Sequence, residues 1–179
     1  MAAKKKKSAV EGPKWMHQLY DLLKDGGVNQ FAYVPDAGHR VVIDRSINDP
    51  DVHSVALTTE EEGVALCAGA DLGGDRAVLL MQSSGVGNCI NFLSLNKGGG
   101  FPLLCVVSMR GDFGEGNPWQ MAMGQATQPV LEAMGVHCLR VESEAELDST
   151  VNAAMTMVFK SGQSVAVLLT QKLIGAKAF

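Results

Sequence analysis

A continuous apolar run at Ala77–Met81 most constrains how this chain of 179 residues can fold. A strand with one face in water alternates apolar and polar residues, whereas an unbroken apolar run is typical of a strand buried on both faces of a parallel sheet. Parallel strands need long crossover connections, which are usually helices. The run therefore predicts a parallel sheet that is covered by helices on both faces.

The rest of the chain alternates between short apolar runs and helical patterns, as such a sheet requires. The predicted strands are Gln30–Val34, Val52–Leu57, Arg76–Gln82, Pro102–Ser108, His137–Val141 and Val165–Thr170. The predicted helices are Trp15–Lys24, Arg40–Ser46, Glu60–Leu72, Cys89–Leu95, Thr127–Met134 and Glu144–Phe159, with a long polar loop from Arg110 to about Gln120. With right-handed crossovers, this order predicts one doubly wound α/β domain with a six-stranded parallel sheet and helices on both faces.

The composition is that of a globular protein, with 46% hydrophobic and 19% charged residues. A formal net charge of −4 gives no support to nucleic-acid binding as the main task. No apolar run is long enough to cross a membrane, and Met1–Val10 lacks the apolar centre of a signal peptide, so we expect a cytoplasmic protein. The basic cluster Lys4–Lys7 lies in a polar arm. We expect residues 1–13 to be disordered and residues 14–179 to form the single domain.

The four cysteines are widely spaced and lie among apolar or small residues. No Cys-x-x-Cys pair occurs, and no histidine stands at metal-ligand spacing from a cysteine, so the sequence predicts no metal site in this chain. We expect reduced, packed thiols.

The stretch Val55–Ala70 predicts a buried strand, a sharp turn and a helix that opens on three consecutive glutamates. Thr59 is a good N-cap residue, and Glu62 completes the pattern of a capping box. One interpretation is that the glutamates only complement the helix dipole. The other is that one of them binds a ligand, because small residues line the helix and ligands bind at the carboxyl ends of strands in open α/β sheets.

Two further segments allow a structural and a functional interpretation. Gly85–Asn88 follows a strand but lacks the third glycine of G-x-G-x-x-G, and no Walker A motif occurs anywhere, so a tight structural turn is the simpler interpretation. Asp36 follows Pro35 after the first strand, where a turn-forming Pro-Asp pair is about as well supported as a functional carboxylate.

Several segments together resemble the pyrimidine-binding domain of the thiamine-diphosphate-dependent 2-oxo acid decarboxylases. They are Tyr33–Asp36, Thr58–Gly69, Leu80–Asn91, Leu95–Lys97, Pro102–Leu104, Arg110–Gly111 and Gly124–Thr127, and the resemblance spans about Trp15 to Thr170. The sulfopyruvate and phosphonopyruvate decarboxylases are the most similar, in particular the separate alpha subunit of the former. The segment Met81–Asn91 is the most specific part.

The resemblance implies a thiamine-diphosphate-binding fold and a role for several residues. Glu60 aligns with the family's glutamate that touches N1′ of the cofactor aminopyrimidine, and this alignment places Gly69 on a family glycine. Asp36 matches an aspartate near the reacting carbon, so the implied catalytic residues are Glu60 and Asp36. The implied cofactor-binding residues are Glu60, Gln82, Ser84, Gly85 and Asn88. The implied substrate-binding residues are Asp36, Lys97 and Arg110, of which the two cations suit an anionic tail.

The chain lacks the Mg²⁺-binding motif of the family, which bears on whether it can be active alone. The family's diphosphate-binding half carries Gly-Asp-Gly and a later Asn, which hold Mg²⁺, whereas Gly74-Asp75 and Gly111-Asp112 here lack the third glycine. The resemblance therefore implies an alpha subunit that is inactive alone, with a beta subunit holding the diphosphate and Mg²⁺. We expect a hetero-oligomer with at least two copies of each chain.

Two alternatives stay open. One is a non-catalytic binding or regulatory module that kept the fold, and the other is a doubly wound enzyme that uses another nucleotide at Gly85. The loop Asp112–Met121 matches the family poorly, so the identity of the 2-oxo acid also stays open.

Overall fold

The fold is described for residues 10–176 from a computed structural model. The strands are β1 (Gln30–Tyr33), β2 (His53–Ala56), β3 (Ala77–Gln82), β4 (Leu103–Ser108), β5 (His137–Val141) and β6 (Ser164–Leu169). The helices are α1 (Lys14–Asp25), α2 (Arg40–Asn48), α3 (Glu60–Gly73), α4 (Ser83–Cys89), α5 (Leu93–Gly99), α6 (Pro118–Ala133), α7 (Glu144–Phe159) and α8 (Gln171–Ile174). A short 3-10 turn at Ala37–His39 precedes α2.

The strands form one parallel sheet in the order β2-β1-β3-β4-β6-β5. Helices α1, α2 and α7 pack on one face, where Tyr20 stacks on Phe31 with ring centroids 5.4 Å apart. Helices α3 to α6 pack on the other face, against the opposite side chains of the same strands. This arrangement confirms the doubly wound α/β fold with six parallel strands.

The central strands are buried on both faces. Every residue of β4 is buried, and so is Ala77–Met81 of β3, the apolar run from which the sheet was predicted. Fully burying a leucine of such a strand stabilises the fold by about 2 kcal/mol. Strand β2 differs from the prediction of a buried strand, because it lies at the edge of the sheet and exposes His53 and Ala56.

Two helices differ from their predicted bounds. The predicted glycine turn Ser83–Asn88 is itself helical and forms most of α4, and a separate helix α5 follows it. Helix α6 begins at Pro118, well before the predicted Thr127, and this shortens the polar loop. Its start has a local cause: Asn117 Oδ1 accepts a hydrogen bond from the Trp119 amide at 3.1 Å, and proline is well suited to the first helical position.

Residues 1–9 of the predicted disordered arm, including Lys4–Lys7, lie outside the described residues. The described end of the arm leads directly into α1. There Val10 packs partly against the core, and Arg40 Nη2 donates a hydrogen bond to the carbonyl oxygen of Glu11 at 2.7 Å. Over the described range 10–176, no helix is long and apolar enough to cross a membrane.

Candidate active site

The strand order predicts a crevice at the carboxyl ends of β1 and β3. After β1 the chain moves outward to β2, and after β2 it crosses back to β3 on the other side of β1. Connections that leave neighbouring strands in opposite directions open a crevice, which is the usual ligand site of such sheets. Asp36 follows β1, Gln82 ends β3, and Glu60 begins α3, which packs against both strands.

Glu60 is a buried carboxylate at the start of α3, with 9% of its surface exposed. Asn88 Nδ2 on α4 donates a hydrogen bond to Glu60 Oε2 at 2.8 Å. Oε1 accepts no hydrogen bond from any residue that the structure describes. Glu60 therefore keeps one acceptor oxygen available at the crevice.

The two neighbouring glutamates serve the start of the helix instead. Thr59 Oγ1 donates a hydrogen bond to Glu61, and the Thr58 amide donates one to Glu62 Oε2 at 2.9 Å. The predicted capping box is therefore wrong in its contacts: Thr59 is the N-cap residue, but its side chain caps no backbone N–H and Glu62 reaches Thr58. Of the three glutamates, only Glu60 is buried against α4.

Glycines allow α3 to approach its neighbours closely. A Cβ on Gly63 would lie 2.3 Å from Leu79 Cδ1, so α3 packs directly on β3 at this point. A Cβ on Gly85 would lie 2.3 Å from Glu60 Oε1, so the Glu60 carboxylate occupies the space that a side chain would need. Gly69, in contrast, has no atom within 4 Å of such a Cβ.

Asp36 is held by three donors at the ends of three strands. The Gly38 amide donates a hydrogen bond to Oδ2 at 2.9 Å, Ser108 Oγ donates one to Oδ2 at 2.6 Å, and Gln82 Nε2 donates one to Oδ1 at 3.3 Å. Ser84 Oγ extends this network by donating to Gln82 Oε1 at 2.8 Å. Burial raises the pKa of Asp36, but the charge interaction with His39 and the three hydrogen bonds leave it below its ordinary value. The carboxylate is therefore ionised at neutral pH.

His39 lies fully buried behind Asp36. Its Nε2 is 3.2 Å from the Met81 carbonyl oxygen, and its Nδ1 has no partner among the described residues. Burial lowers the pKa of His39, although Asp36 opposes the shift. Neither His39 nor Ser108 was predicted as a site residue. One feature of the sequence could have indicated Ser108: it is the polar last residue of a buried strand, at the carboxyl end where such sheets bind ligands.

Arg110 follows β4 and is paired within the chain. Its guanidinium donates two hydrogen bonds to Glu115, at 2.6 and 2.7 Å, and the Glu115 side chain is 1% exposed. Gln171 Nε2 and the amides of Gly111 and Asn117 donate further hydrogen bonds to Glu115. The Arg110 guanidinium holds the pKa of Glu115 well below its usual range. Arg110 is thus committed to ordering the loop between β4 and α6.

Lys97 lies at the amino end of the strands, opposite to the other predicted site residues. It is on α5, which precedes β4, and its Cδ is 3.9 Å from the position of a Cβ on Gly135, which precedes β5. The structure therefore brings together Asp36, Gln82 and Ser84 in one network and Glu60, Gly85 and Asn88 in another. Arg110 lies near these two networks but is paired with Glu115. Lys97 belongs to neither network.

No set of three or more His, Cys, Asp or Glu side chains that could hold a metal ion occurs within residues 10–176. The four cysteines are free thiols, three of them buried. Burial raises the pKa of Cys67 and of Cys89 to about 12, so these thiols are unreactive at neutral pH.

No family model matches the chain. The alpha subunit of sulfopyruvate decarboxylase from Methanococcus maripaludis is 36% identical over 152 residues, which are 84% of this chain and 91% of that subunit. Sulfopyruvate decarboxylase from Methanosarcina acetivorans is 36% identical over 121 residues, which are 66% of this chain and 30% of that protein. Phosphonopyruvate decarboxylase from Streptomyces viridochromogenes is 36% identical over 108 residues, which are 59% of this chain and 27% of that protein. The chain thus aligns with most of a separate subunit and with under a third of the longer proteins.

A solved structure shares the fold. It is 2-oxoglutarate:ferredoxin oxidoreductase from Magnetococcus marinus with 2-oxoglutarate, coenzyme A and succinyl-CoA bound. The superposition has a TM-score of 0.73 at 16% sequence identity and covers 89% of this chain and 29% of the oxidoreductase chain. At this identity the likeness concerns the fold alone.

Proposed function

The chain belongs to the family of the sulfopyruvate decarboxylase alpha subunits, and from this premise we propose that it is the alpha subunit of a thiamine-diphosphate-dependent 2-oxo acid decarboxylase. The family that the sequence segments resemble is thereby confirmed. The observation that carries the proposal is Glu60: a buried carboxylate with one uncommitted oxygen, at the start of the helix where the resemblance expects the glutamate that meets the cofactor.

The residues at the crevice fit half of a thiamine diphosphate site. Glu60 offers an acceptor oxygen to N1′ of the aminopyrimidine, and Gln82, Ser84, Gly85 and Asn88 line the same turn. Bound thiamine diphosphate supplies the nucleophilic carbon and the electron sink that decarboxylation needs. Glu60 holds and exchanges a proton at N1′, for which a positioned carboxylate is suited. Asp36, kept ionised by its donors, faces the reacting end of the substrate as a second carboxylate.

The diphosphate and Mg²⁺ belong in this proposal to a beta subunit. Support comes from the relatives, since the chain matches proteins named as alpha subunits nearly in full and matches under a third of the longer proteins named as decarboxylases without a subunit. The chain itself carries no Gly-Asp-Gly motif. We propose a hetero-oligomer with at least two copies of each chain, in which the site forms between unlike subunits. The cytoplasmic location stays a prediction from the sequence.

The substrate is proposed to be a 2-oxo acid like sulfopyruvate or phosphonopyruvate. Asp36 is the predicted substrate residue that supports this proposal, because it follows β1 at the carboxyl end of the sheet. Arg110 is already paired with Glu115 through Nε and Nη2, and Lys97 lies at the amino end of the strands, away from the other predicted residues. An activity panel of sulfopyruvate, phosphonopyruvate, pyruvate and an aromatic 2-oxo acid distinguishes these substrates.

The test of the proposed function is reconstitution. The chain is purified alone and together with a beta subunit that carries Gly-Asp-Gly, and CO₂ release is measured with thiamine diphosphate and Mg²⁺. We expect decarboxylation by the complex and none by the isolated chain. Robust decarboxylation by the isolated chain contradicts the shared site. A complex that fails to bind thiamine diphosphate in calorimetry points to a non-catalytic module instead.

A further inference from the structure

We propose that Gly85 and Asn88 are positioning residues that hold the Glu60 carboxylate in one place and orientation. This inference rests on the proposed function, in which Glu60 meets the cofactor. It differs from the role that the resemblance gives these two residues, which is contact with the cofactor itself.

The argument for Gly85 is steric. A Cβ on this residue would lie 2.3 Å from Glu60 Oε1, 2.4 Å from Cδ and 2.5 Å from Cγ. Distances this short do not occur for real Cβ atoms, so any side chain here displaces the carboxylate. Gly85 does not have a positive φ, so its backbone conformation does not require glycine. What requires glycine is the space that Glu60 occupies.

The argument for Asn88 is chemical. Its Nδ2 donates a hydrogen bond to Glu60 Oε2 at 2.8 Å, and the amide group of asparagine supplies the donor that this acceptor oxygen needs. Because one oxygen is thereby engaged, the orientation of the carboxylate about its terminal bond is set. The other oxygen, which rests against Gly85, is the one left for N1′.

Helix α4 is a suitable support for both contacts. Gly85 and Asn88 are three residues apart on the helix and therefore share a face. The helix is anchored at its start, because Ser83 Oγ accepts a hydrogen bond from the Arg110 amide at 3.0 Å, just after β4. The Ser83 carbonyl oxygen also lies 3.3 Å from Thr127 Oγ1 of α6. The position of Glu60 is thus fixed by a helix that itself contacts the chain after β4 and the middle of α6.

The chain offers a matched control for the steric argument. A Cβ on Gly87 would meet only the Met123 side chain, at 3.4 and 3.5 Å, which is ordinary contact. Gly87→Ala therefore makes the same chemical change in the same helix without reaching Glu60. The three atoms displaced by Gly85→Ala all belong to the Glu60 side chain and none to the backbone, so we expect both variants to fold.

The experiment compares Gly85→Ala, Gly87→Ala, Asn88→Ala and Glu60→Gln in the reconstituted complex. The readouts are kcat, the dissociation constant of thiamine diphosphate, thermal unfolding, and the ¹³C carboxyl resonance of Glu60 in the cofactor-free complex, assigned by its absence in Glu60→Gln. We expect Gly85→Ala to lower kcat by about 10²-fold, the cost of a misplacement of about 1 Å. Asn88→Ala should lower kcat about tenfold or more, because it removes the contact that orients the Glu60 carboxylate. Gly85→Ala and Asn88→Ala should also shift the Glu60 resonance. Gly87→Ala should change neither kcat nor the Glu60 resonance.

The outcomes separate this inference from the proposed function. If Glu60→Gln is inactive while Gly85→Ala and Asn88→Ala keep the kcat and the Glu60 resonance of the parent, the positioning role is overturned and the proposed function stands. If Asn88→Ala weakens cofactor binding without moving the Glu60 resonance, Asn88 contacts the cofactor and the inference fails for that residue. If Glu60→Gln keeps full activity, the role of Glu60 fails, and with it this inference.

Discussion

Asp36 and Ser108 are joined by a hydrogen bond of 2.6 Å although their strands are not neighbours in the sheet. Asp36 follows β1 and Ser108 ends β4, with β3 between them, and Gln82 at the end of β3 donates to the same carboxylate. Three strand ends thus converge on one carboxylate. Burial raises the pKa of Asp36, but the charge interaction with His39 and these hydrogen bonds keep it below its ordinary value.

The first prediction concerns Ser108→Ala. Removing the hydroxyl donor destabilises the ionised carboxylate, so the pKa of Asp36 should rise. If catalysis needs ionised Asp36, the acid limb of the profile of kcat/KM against pH should move to higher pH. Ser94→Ala, which changes an exposed serine on α5, is the matched control and should leave the profile unchanged. An unchanged acid limb in Ser108→Ala would exclude Asp36 as the group that titrates there.

The second prediction concerns the buried ion pair of Arg110 and Glu115. Glu115→Ala leaves the guanidinium without its carboxylate and removes the acceptor for the Gly111 and Asn117 amides. Glu115 is enclosed and Arg110 is partly buried, so losing the pair and leaving two amides without their acceptor should lower the midpoint of denaturant unfolding clearly. Glu142→Ala removes an ion pair with Lys172 that is open to solvent and should leave the midpoint nearly unchanged. Equal midpoints for the two variants would contradict this prediction.

The third prediction is acid sensitivity at Asp49. Lys24 and Tyr20 donate hydrogen bonds to its carboxylate, Lys24 having the larger effect, and they lower the pKa of Asp49 from 3.8 to about 2. A carboxylate whose pKa is lower in the folded state contributes stability above its unfolded pKa and loses it as the pH falls. The free energy of unfolding should therefore decrease from about pH 4 towards pH 2. Asp49→Asn should be less stable at neutral pH and should show a shallower decrease over that range.

The spacing of apolar residues predicted most strands and helices, because it shows within each segment which side chains are buried. Strand β5 and helix α7 have the predicted bounds, since each has a clear pattern between turn residues. The edge position of β2 was not predictable in this way, because the order of strands in a sheet depends on crossovers and not on one segment. The same limit hid Ser108, which is 72 residues from Asp36 in the chain and reaches it only in the assembled sheet.

Helix α4 shows a different limit. Gly85 and Gly87 lower helix propensity and predict a turn when the segment is considered alone. In the folded chain the segment is nevertheless helical, and Gly85 leaves the space that the Glu60 side chain of α3 occupies. This contact between α3 and α4 could not be read from the segment alone, and the residue pattern was informative only through its resemblance to the family.

The fourth prediction concerns the surface at the start of α6. Trp119 is 91% exposed there, and Phe113 and Met121 beside it in the chain are also exposed. Because the proposed site forms between subunits, we expect Trp119 to be buried by the beta subunit. Trp119→Ala should weaken subunit association about 10-fold or more, as for a buried aromatic anchor, when measured by calorimetric titration of the two subunits. Leu72→Ala, at the exposed far end of α3, should not change the affinity.

The last prediction assigns the three glutamates at the start of α3. Glu60→Gln keeps the size of the side chain but cannot exchange a proton with N1′. We therefore expect the rate of decarboxylation to fall about 10²- to 10⁴-fold, the usual effect of losing a positioned acid–base group. Glu61→Gln and Glu62→Gln disturb only the contacts to Thr59 and Thr58, worth about 1 kcal/mol or less at a helix start, and should leave turnover near that of the parent. The measurement is exchange of the cofactor C2 proton in deuterium oxide for the three reconstituted variants. Loss of exchange in Glu62→Gln with normal exchange in Glu60→Gln would show that the alignment on Glu60 is wrong, and normal exchange in all three would leave the glutamates with a role in the helix start alone.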